Sequence, residues 1–288
     1  MAAVIKRDLV EKLVGRAASD GDGVKLKRVF GGTGAERFDP FLMLDEFGSD
    51  QAADYVGGFP SHPHRGFETV TYMLEGRMLH EDHLGNRGLL EPGGVQWMTA
   101  GRGIIHSEMP QQDAGLMRGF QLWVNLPAAE KMQPASYRDL PAGDITECTL
   151  PGGGLARLIA GDLGISGELC TGPIGGKTTD VLYADLQLGK DETCELPVAS
   201  HLNAMLYGYE GELRIEGREE ALITAGQLGR LGEGNSIALR AGPEGARVLL
   251  IAGKPLREPI VQYGPFVMNS REEIEQALRD FRSGQLAS

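Results

Sequence analysis

His62-Pro63-His64-Arg65-Gly66-Phe67-Glu68 and His106-Ser107-Glu108 are the two pieces of sequence from which the rest of the chain can be read. In an extended strand, residues two apart point to the same face. His62 and His64 therefore aim two imidazoles into one space, and His106 and Glu108 aim an imidazole and a carboxylate in the same way. Three neutral nitrogens and one carboxylate oxygen converging on a point suit a divalent first-row metal ion. A lone histidine on a strand is more often a hydrogen-bonded surface residue than a ligand. Here, however, five of the six histidines (His62, His64, His80, His83 and His106) fall between Phe59 and Pro110. Pro63 holds His62 extended and, lacking an N–H, confines the segment to a sheet edge, a bulge or a barrel rim.

Outward from that stretch, composition narrows the class. A chain of 288 residues makes one large domain or two ordinary ones, and 41% hydrophobic residues promise a sizeable core. The 42 glycines fall between short apolar runs, as turns joining many strands would. A net charge of −12 argues against direct nucleic-acid binding, which rests on Lys and Arg contacts to phosphate. No apolar run reaches membrane-spanning length, and Met1 to Val14 carries charges in place of a signal-peptide core. The expected compartment is the cytoplasm, or the nucleus in a eukaryote, with no membrane partner. Cys148, Cys170 and Cys194 are odd in number and far apart, so they read as ordinary thiols, neither a disulfide framework nor a zinc site.

Strands are expected over Val24 to Val29 and Asp39 to Phe47, around the turn Gly31-Gly32-Thr33-Gly34, and again over Thr69 to Leu74, Met78 to Asp82, Val95 to Thr99 and Gly119 to Leu126. Pro127, Pro134 and Pro141 mark a linker, with the domain boundary near Arg138. Beyond it the rhythm repeats. Tyr209-Glu210-Gly211 echoes Leu74-Glu75-Gly76, and Ala225-Gly226-Gln227-Leu228 echoes Pro92-Gly93-Gly94-Val95. Each half then reads as short antiparallel strands of a barrel or jelly roll. The expected domains are 1–138 and 139–288. Counting from the matched glycines, the ligand positions of the second half hold Pro197, Ala199, Leu239 and Ala241, so only the first half is expected to bind metal. At the end, Ser270-Arg271-Glu272-Glu273 is a capping box, and Ile274, Leu278 and Phe281 follow at helical spacing.

These residues resemble the pirin family of bicupins. The likeness is carried by Phe41 to Phe47, Gly58 to Thr69, Gln96 to Pro110 and Lys254 to Phe266, and its spacing extends over most of the chain. The run Gln96-Trp97-Met98-Thr99-Ala100-Gly101-Arg102-Gly103-Ile104-Ile105-His106-Ser107-Glu108-Met109-Pro110 is long enough to be specific by itself. The resemblance implies an all-β chain of two tandem cupin (jelly-roll β-barrel) domains with a short C-terminal helix. It implies iron, held by His62, His64, His106 and Glu108 in the first barrel, and no metal in the second. It implies quercetin 2,3-dioxygenase activity or, for eukaryotic members, a transcription-coregulator role. A common cupin pattern places a ligand glutamate soon after the paired histidines, near Glu68. By resemblance to pirins Glu108 takes that role, which leaves Glu68 a supporting or structural carboxylate.

Four protein ligands on an octahedral ion leave two neighbouring positions for water, dioxygen or a chelating substrate. A flavonol offers a 3-hydroxyl beside a 4-carbonyl. In this reading the metal acidifies the hydroxyl, Glu108 accepts its proton, and the ring is cleaved with O2 and loss of carbon monoxide. Ligand type alone leaves Fe, Mn, Co, Ni, Cu and Zn open; Fe(II) follows from the resemblance. The competing reading is a regulatory module whose metal oxidation state shapes a surface for a protein partner. His80 and His83 are expected either at a solvated hairpin tip or in support of the ligands.

Overall fold

In the computed structural model, which describes residues 3–32, 38–217 and 219–287, the short apolar runs form antiparallel strands throughout. The helix Arg271–Arg282 follows them. The expected strands are all present, as Val24–Phe30, Phe41–Ser49, Phe67–Glu75, Met78–Asp82, Val95–Thr99 and Met117–Asn125. Thr33 and Gly34 of the expected turn lie outside the described residues.

The chain divides into two compact units, and neither is a contiguous half. One comprises Arg16–Gly143 and Leu256–Ser288, the other Met1–Gly15 and Asp144–Pro255. The division expected from sequence, 1–138 and 139–288, is therefore corrected at three places. Leu9–Val14 pairs with Gln227–Leu231 and so joins the second unit. The C-terminal segment joins the first, where Val267 N donates to Arg65 O at 3.0 Å. The interval read as a linker contains the strand Ser136–Leu140, which completes the exposed edge of Val95–Thr99. Backbone donors and acceptors on a sheet edge need partners, and this segment supplies them.

The first unit has a seven-stranded sheet in the order Ser136–Leu140, Val95–Thr99, Phe67–Glu75, Met117–Asn125, Phe41–Ser49, Val24–Phe30, Arg16–Asp20. A four-stranded sheet runs Phe59–His64, Ile104–Pro110, Met78–Asp82, Arg87–Leu90. A cavity lies between them, lined from one side by Met43, Phe47 and Trp123 and from the other by Phe59, Pro60 and Met78. Phe59–His64 is an edge strand, as Pro63 requires.

The second unit contains a nine-stranded sheet built on Asn203–Glu216 and Ser236–Gly253, which pair along most of their length with two register shifts between Gly208 and Leu213. Such bulges let long strands bend sharply and pass from one side of a sandwich to the other. Leu158, Leu186, Leu206, Ile215 and Val248 lie in its core, together with Leu239 and Ala241. The glycines matched between the halves share a conformation: Gly76 and Gly211 have φ of 83° and 67°, Gly93 and Gly226 of 78° and 83°. A side chain would be strained at any of these values.

Two readings change in this unit and at the C-terminus. Cys148 and Cys170, read as separate thiols, form a disulfide with Cα atoms 6.6 Å apart. Their separation of 22 residues hides the pairing from sequence; folding brings together the strands Thr146–Thr149 and Glu168–Thr171 that carry them. Cys194 is a buried thiol, its pKa pushed up by burial to about 12. The C-terminal helix is capped as expected, with Ser270 Oγ accepting from Glu273 N at 3.2 Å and Glu273 Oε2 accepting from Ser270 N at 2.8 Å. Its buried residues are Ile274 and Ala277, whereas Phe281 at the end of the predicted stripe stays exposed. No helix among the described residues is long and apolar enough to cross a membrane.

Candidate metal centre

The two same-face pairs lie on neighbouring strands. Phe59–His64 and Ile104–Pro110 are antiparallel, with His62 opposite His106 and Ile104 opposite His64. A register shift follows His106, so that Glu108 pairs with Phe59. The ring nitrogens of His62, His64 and His106 come within 4.8 Å of one another. His62 Nε2 and His64 Nε2 face each other at 3.0 Å. That is the spacing of two adjacent ligands on an octahedral ion with metal–nitrogen bonds of about 2.1 Å.

Two of the imidazoles are held by hydrogen bonds that leave one nitrogen to present. His62 Nδ1 donates to Pro60 O at 2.8 Å, which leaves Nε2 with a lone pair. His106 Nδ1 lies 2.7 Å from His80 Nε2, while His106 Nε2 is buried with no hydrogen-bond partner. The His64 ring sits edge-on to Phe67 and Trp123, at centroid distances of 5.1 and 5.4 Å. Burial pushes the pKa of His64 and of His106 well below the ordinary histidine value, and the neighbouring histidines lower it further. Both rings are thus neutral near pH 7, the state a metal ligand needs. Three convergent imidazole nitrogens, with buried nitrogens of His64 and His106 left without a hydrogen-bond partner, fit a divalent cation.

Glu108 is placed differently. It is buried and lines the same cavity as His62 and His64, but its carboxylate lies outside the three-nitrogen group. Its Oε1 accepts from Thr71 Oγ1 at 3.1 Å. Glu68 faces elsewhere. It lies one residue out of step with Thr69 and Thr71 on Phe67–Glu75, and its Oε1 accepts from Thr99 Oγ1 at 2.6 Å. His80 is buried against His106, not at a solvated tip. His83 is exposed and ties down the C-terminus, its Nε2 donating to Ala287 O at 2.9 Å.

The cavity beside these residues measures 960 Å³, near the upper end for a small-molecule site. Its walls combine Phe47, Phe59 and Trp123 with polar Arg28, Asp45 and Gln121. Gln262, Gly264 and Pro265 bring the C-terminal segment into the same wall. That segment is anchored next to the ligands. The buried Arg65 donates to Asp280 Oδ2 at 2.7 Å and to the carbonyls of Arg102 and Leu286. Gly66 has φ of 91°, and a Cβ there would collide with Val267 O. Of the two places open to His80 in the sequence, the structure takes the one in support of a histidine, and sequence reasoning missed Thr71, Gln121 and Asp45 altogether. Strand alternation was the available signal for the last three, since Asp45 shares a face with Met43 and Phe47, and Gln121 with Trp123.

Comparison with known proteins gives a consistent result. Residues 23–124 match the Pirin family and residues 183–287 the Pirin C-terminal cupin domain. A Pseudomonas aeruginosa protein whose name provisionally gives it as a quercetin 2,3-dioxygenase is 58% identical, over 98% of this chain and 98% of its own. Human pirin is 40% identical over 95% of this chain and 91% of its own. A crystal structure of quercetin 2,3-dioxygenase from Acinetobacter baumannii superposes with a TM-score of 0.87 at 32% identity, covering 98% of this chain and 99% of that one.

Proposed function

The chain belongs to the pirin family of two-cupin proteins, and from that premise we propose that it is a metal-dependent dioxygenase cleaving a flavonol such as quercetin with O2. His62, His64 and His106 hold one divalent ion, Fe(II) by family resemblance, with Glu108 as fourth ligand and as base. The second unit, with Pro197, Ala199, Leu239 and Ala241 at the corresponding positions, holds none. The observation that carries this reading is the group of three histidine nitrogens beside a 960 Å³ cavity with aromatic walls.

When bound, the ion supplies Lewis acidity toward the flavonol 3-hydroxyl. The chain's own residues do the rest. Phe47, Phe59 and Trp123 bury a planar aromatic ligand and exclude water. Glu108 Oε1 is held by Thr71, so Oε2 is the oxygen that would reach the ion and, loosened from it, take the hydroxyl proton and later return it to the product. In the overall reaction one O2 is consumed, both its atoms enter the product, and one carbon monoxide leaves.

Consumption of O2 and flavonol by protein loaded with iron, manganese or nickel tests the proposal. Glu108→Gln should keep much of its metal, because an amide oxygen still coordinates weakly. Its turnover should fall by about 10²–10⁴-fold, because an amide does not accept the proton. Turnover unchanged in Glu108→Gln would refute the base and leave a dioxygenase standing. No turnover with any of the three metals would refute the dioxygenase, and metal- or redox-dependent binding of a protein partner would then be the reading to test.

A further inference from the structure

Thr71 Oγ1 lies 3.1 Å from Glu108 Oε1 and 2.6 Å from Gln121 Oε1. Both neighbouring atoms are oxygens that accept, yet a hydroxyl has one proton to give. A half-turn of the Gln121 amide resolves the conflict. Its NH2 then donates to Thr71 Oγ1, and Thr71 gives its own proton to Glu108. With the amide so turned, the three side chains form a directed chain of hydrogen bonds that ends on one oxygen of the carboxylate.

This chain is part of a longer alignment. Arg28 stands opposite Asp45, Asp45 opposite Gln121, and Gln121 opposite Thr71, so four polar residues are in register across four adjacent strands. All four line the cavity, in a wall otherwise apolar at Met43, Phe47 and Trp123. Arg28 donates to both oxygens of Asp45, at 3.0 and 2.8 Å, and fixes the far end of the row. Polar groups on an apolar wall cost free energy unless they are paired, and a row this ordered restricts where each member can point.

We propose that Thr71 and Gln121 are positioning residues for Glu108, holding its Oε1 against the sheet and limiting how far the carboxylate closes on the three histidines. The inference rests on the reading of Glu108 as both ligand and base. A carboxylate fully engaged with a cation is a poor base, because its charge and lone pairs are taken. One tethered through Oε1 keeps Oε2 free for a substrate proton. To close completely on the ion, Glu108 must give up its bond from Thr71, so the tether and the metal compete for the same carboxylate.

The competition sets opposite signs for two measurements. Thr71→Val removes the hydroxyl with little change of shape. In competition with a chelator it should retain metal more tightly than wild type, by about tenfold, the value of a hydrogen bond to a charged group. Its flavonol kcat should fall at least about tenfold with KM little changed. Gln121→Leu should move both quantities the same way, and it serves alone if Thr71→Val does not fold. Thr71→Ser, which restores the donor, should return both to near wild type. Metal retention that falls or stays level in Thr71→Val and Gln121→Leu would overturn the proposal, as would failure of Thr71→Ser to restore it. The chelator measurement needs no turnover. Tighter metal in the variants of a protein with no dioxygenase activity would uphold the tether and reject the dioxygenase; looser metal in an active protein would do the reverse.

Discussion

His80 Nε2 lies 2.7 Å from His106 Nδ1, inside the first unit. The two residues are on adjacent antiparallel strands, Met78–Asp82 and Ile104–Pro110. For neutral His106 to offer Nε2 to a cation, its proton must sit on Nδ1, and that N–H then donates to His80. The partner thereby fixes both the tautomer and the ring plane of a proposed ligand.

Replacing His80 with phenylalanine should keep the ring volume and the fold but remove that acceptor. Metal affinity should fall by about 10–100-fold, the usual cost of losing such a partner, as measured by chelator competition and checked by circular dichroism. Affinity within twofold of wild type would show that His106 needs no partner.

One metal per chain is expected, and His64→Ala should reduce it to near zero in elemental analysis of purified protein. Replacement of all four first-unit ligands should leave none. A full equivalent surviving in that quadruple variant would place a site in the second unit and contradict the expectation.

Lys131 provides a pH test. Its Nζ is buried and donates to Gly66 O and Asn125 Oδ1, each at 2.6 Å, and to Val267 O at 3.1 Å. Burial lowers its pKa from 10.5 to about 8, against the pull of Glu258 and Glu273. Between those two values the unfolded chain binds the proton and the folded chain does not, so this group's contribution to stability rises with pH. Below about pH 8 the cost of burying the charged amine is fully present. Urea unfolding of wild type and Lys131→Met at pH 7.5 and pH 10 should show the difference moving in favour of wild type at the higher pH. A difference independent of pH would mean that the amine titrates normally.

The disulfide Cys148–Cys170 closes a loop of 22 residues in the second unit, worth about 3 kcal/mol by the entropy it removes from the unfolded chain. Cys148→Ser with Cys170→Ser should lower unfolding stability by that order while leaving metal content unchanged, because the proposed ligands lie in the other unit. A matched loss of metal would show that the two units unfold together.

Much of the fold and part of the site could be read along the chain, because those features depend on neighbours in sequence. Strand alternation gave the two same-face pairs, Pro63 gave the edge strand, Gly76 and Gly211 marked the repeat, and Ser270 with Glu273 marked the helix start. Each is a local rule of backbone geometry acting over a few residues. Assembly was decided elsewhere. That Leu9–Val14 belongs with Gln227–Leu231, that Cys148 meets Cys170, and that Arg65 beside His64 is held by Asp280 are pairings over long separations. They satisfy sheet edges and buried charge that no short window displays. The site divides along the same line. Its three histidines were legible because strand period and pairing point them together, whereas Glu108, following a register shift, is turned toward Thr71, whose hydroxyl also contacts Gln121. The strands bearing those two residues pair side by side only in the folded sheet, so tertiary structure alone decides what the carboxylate touches.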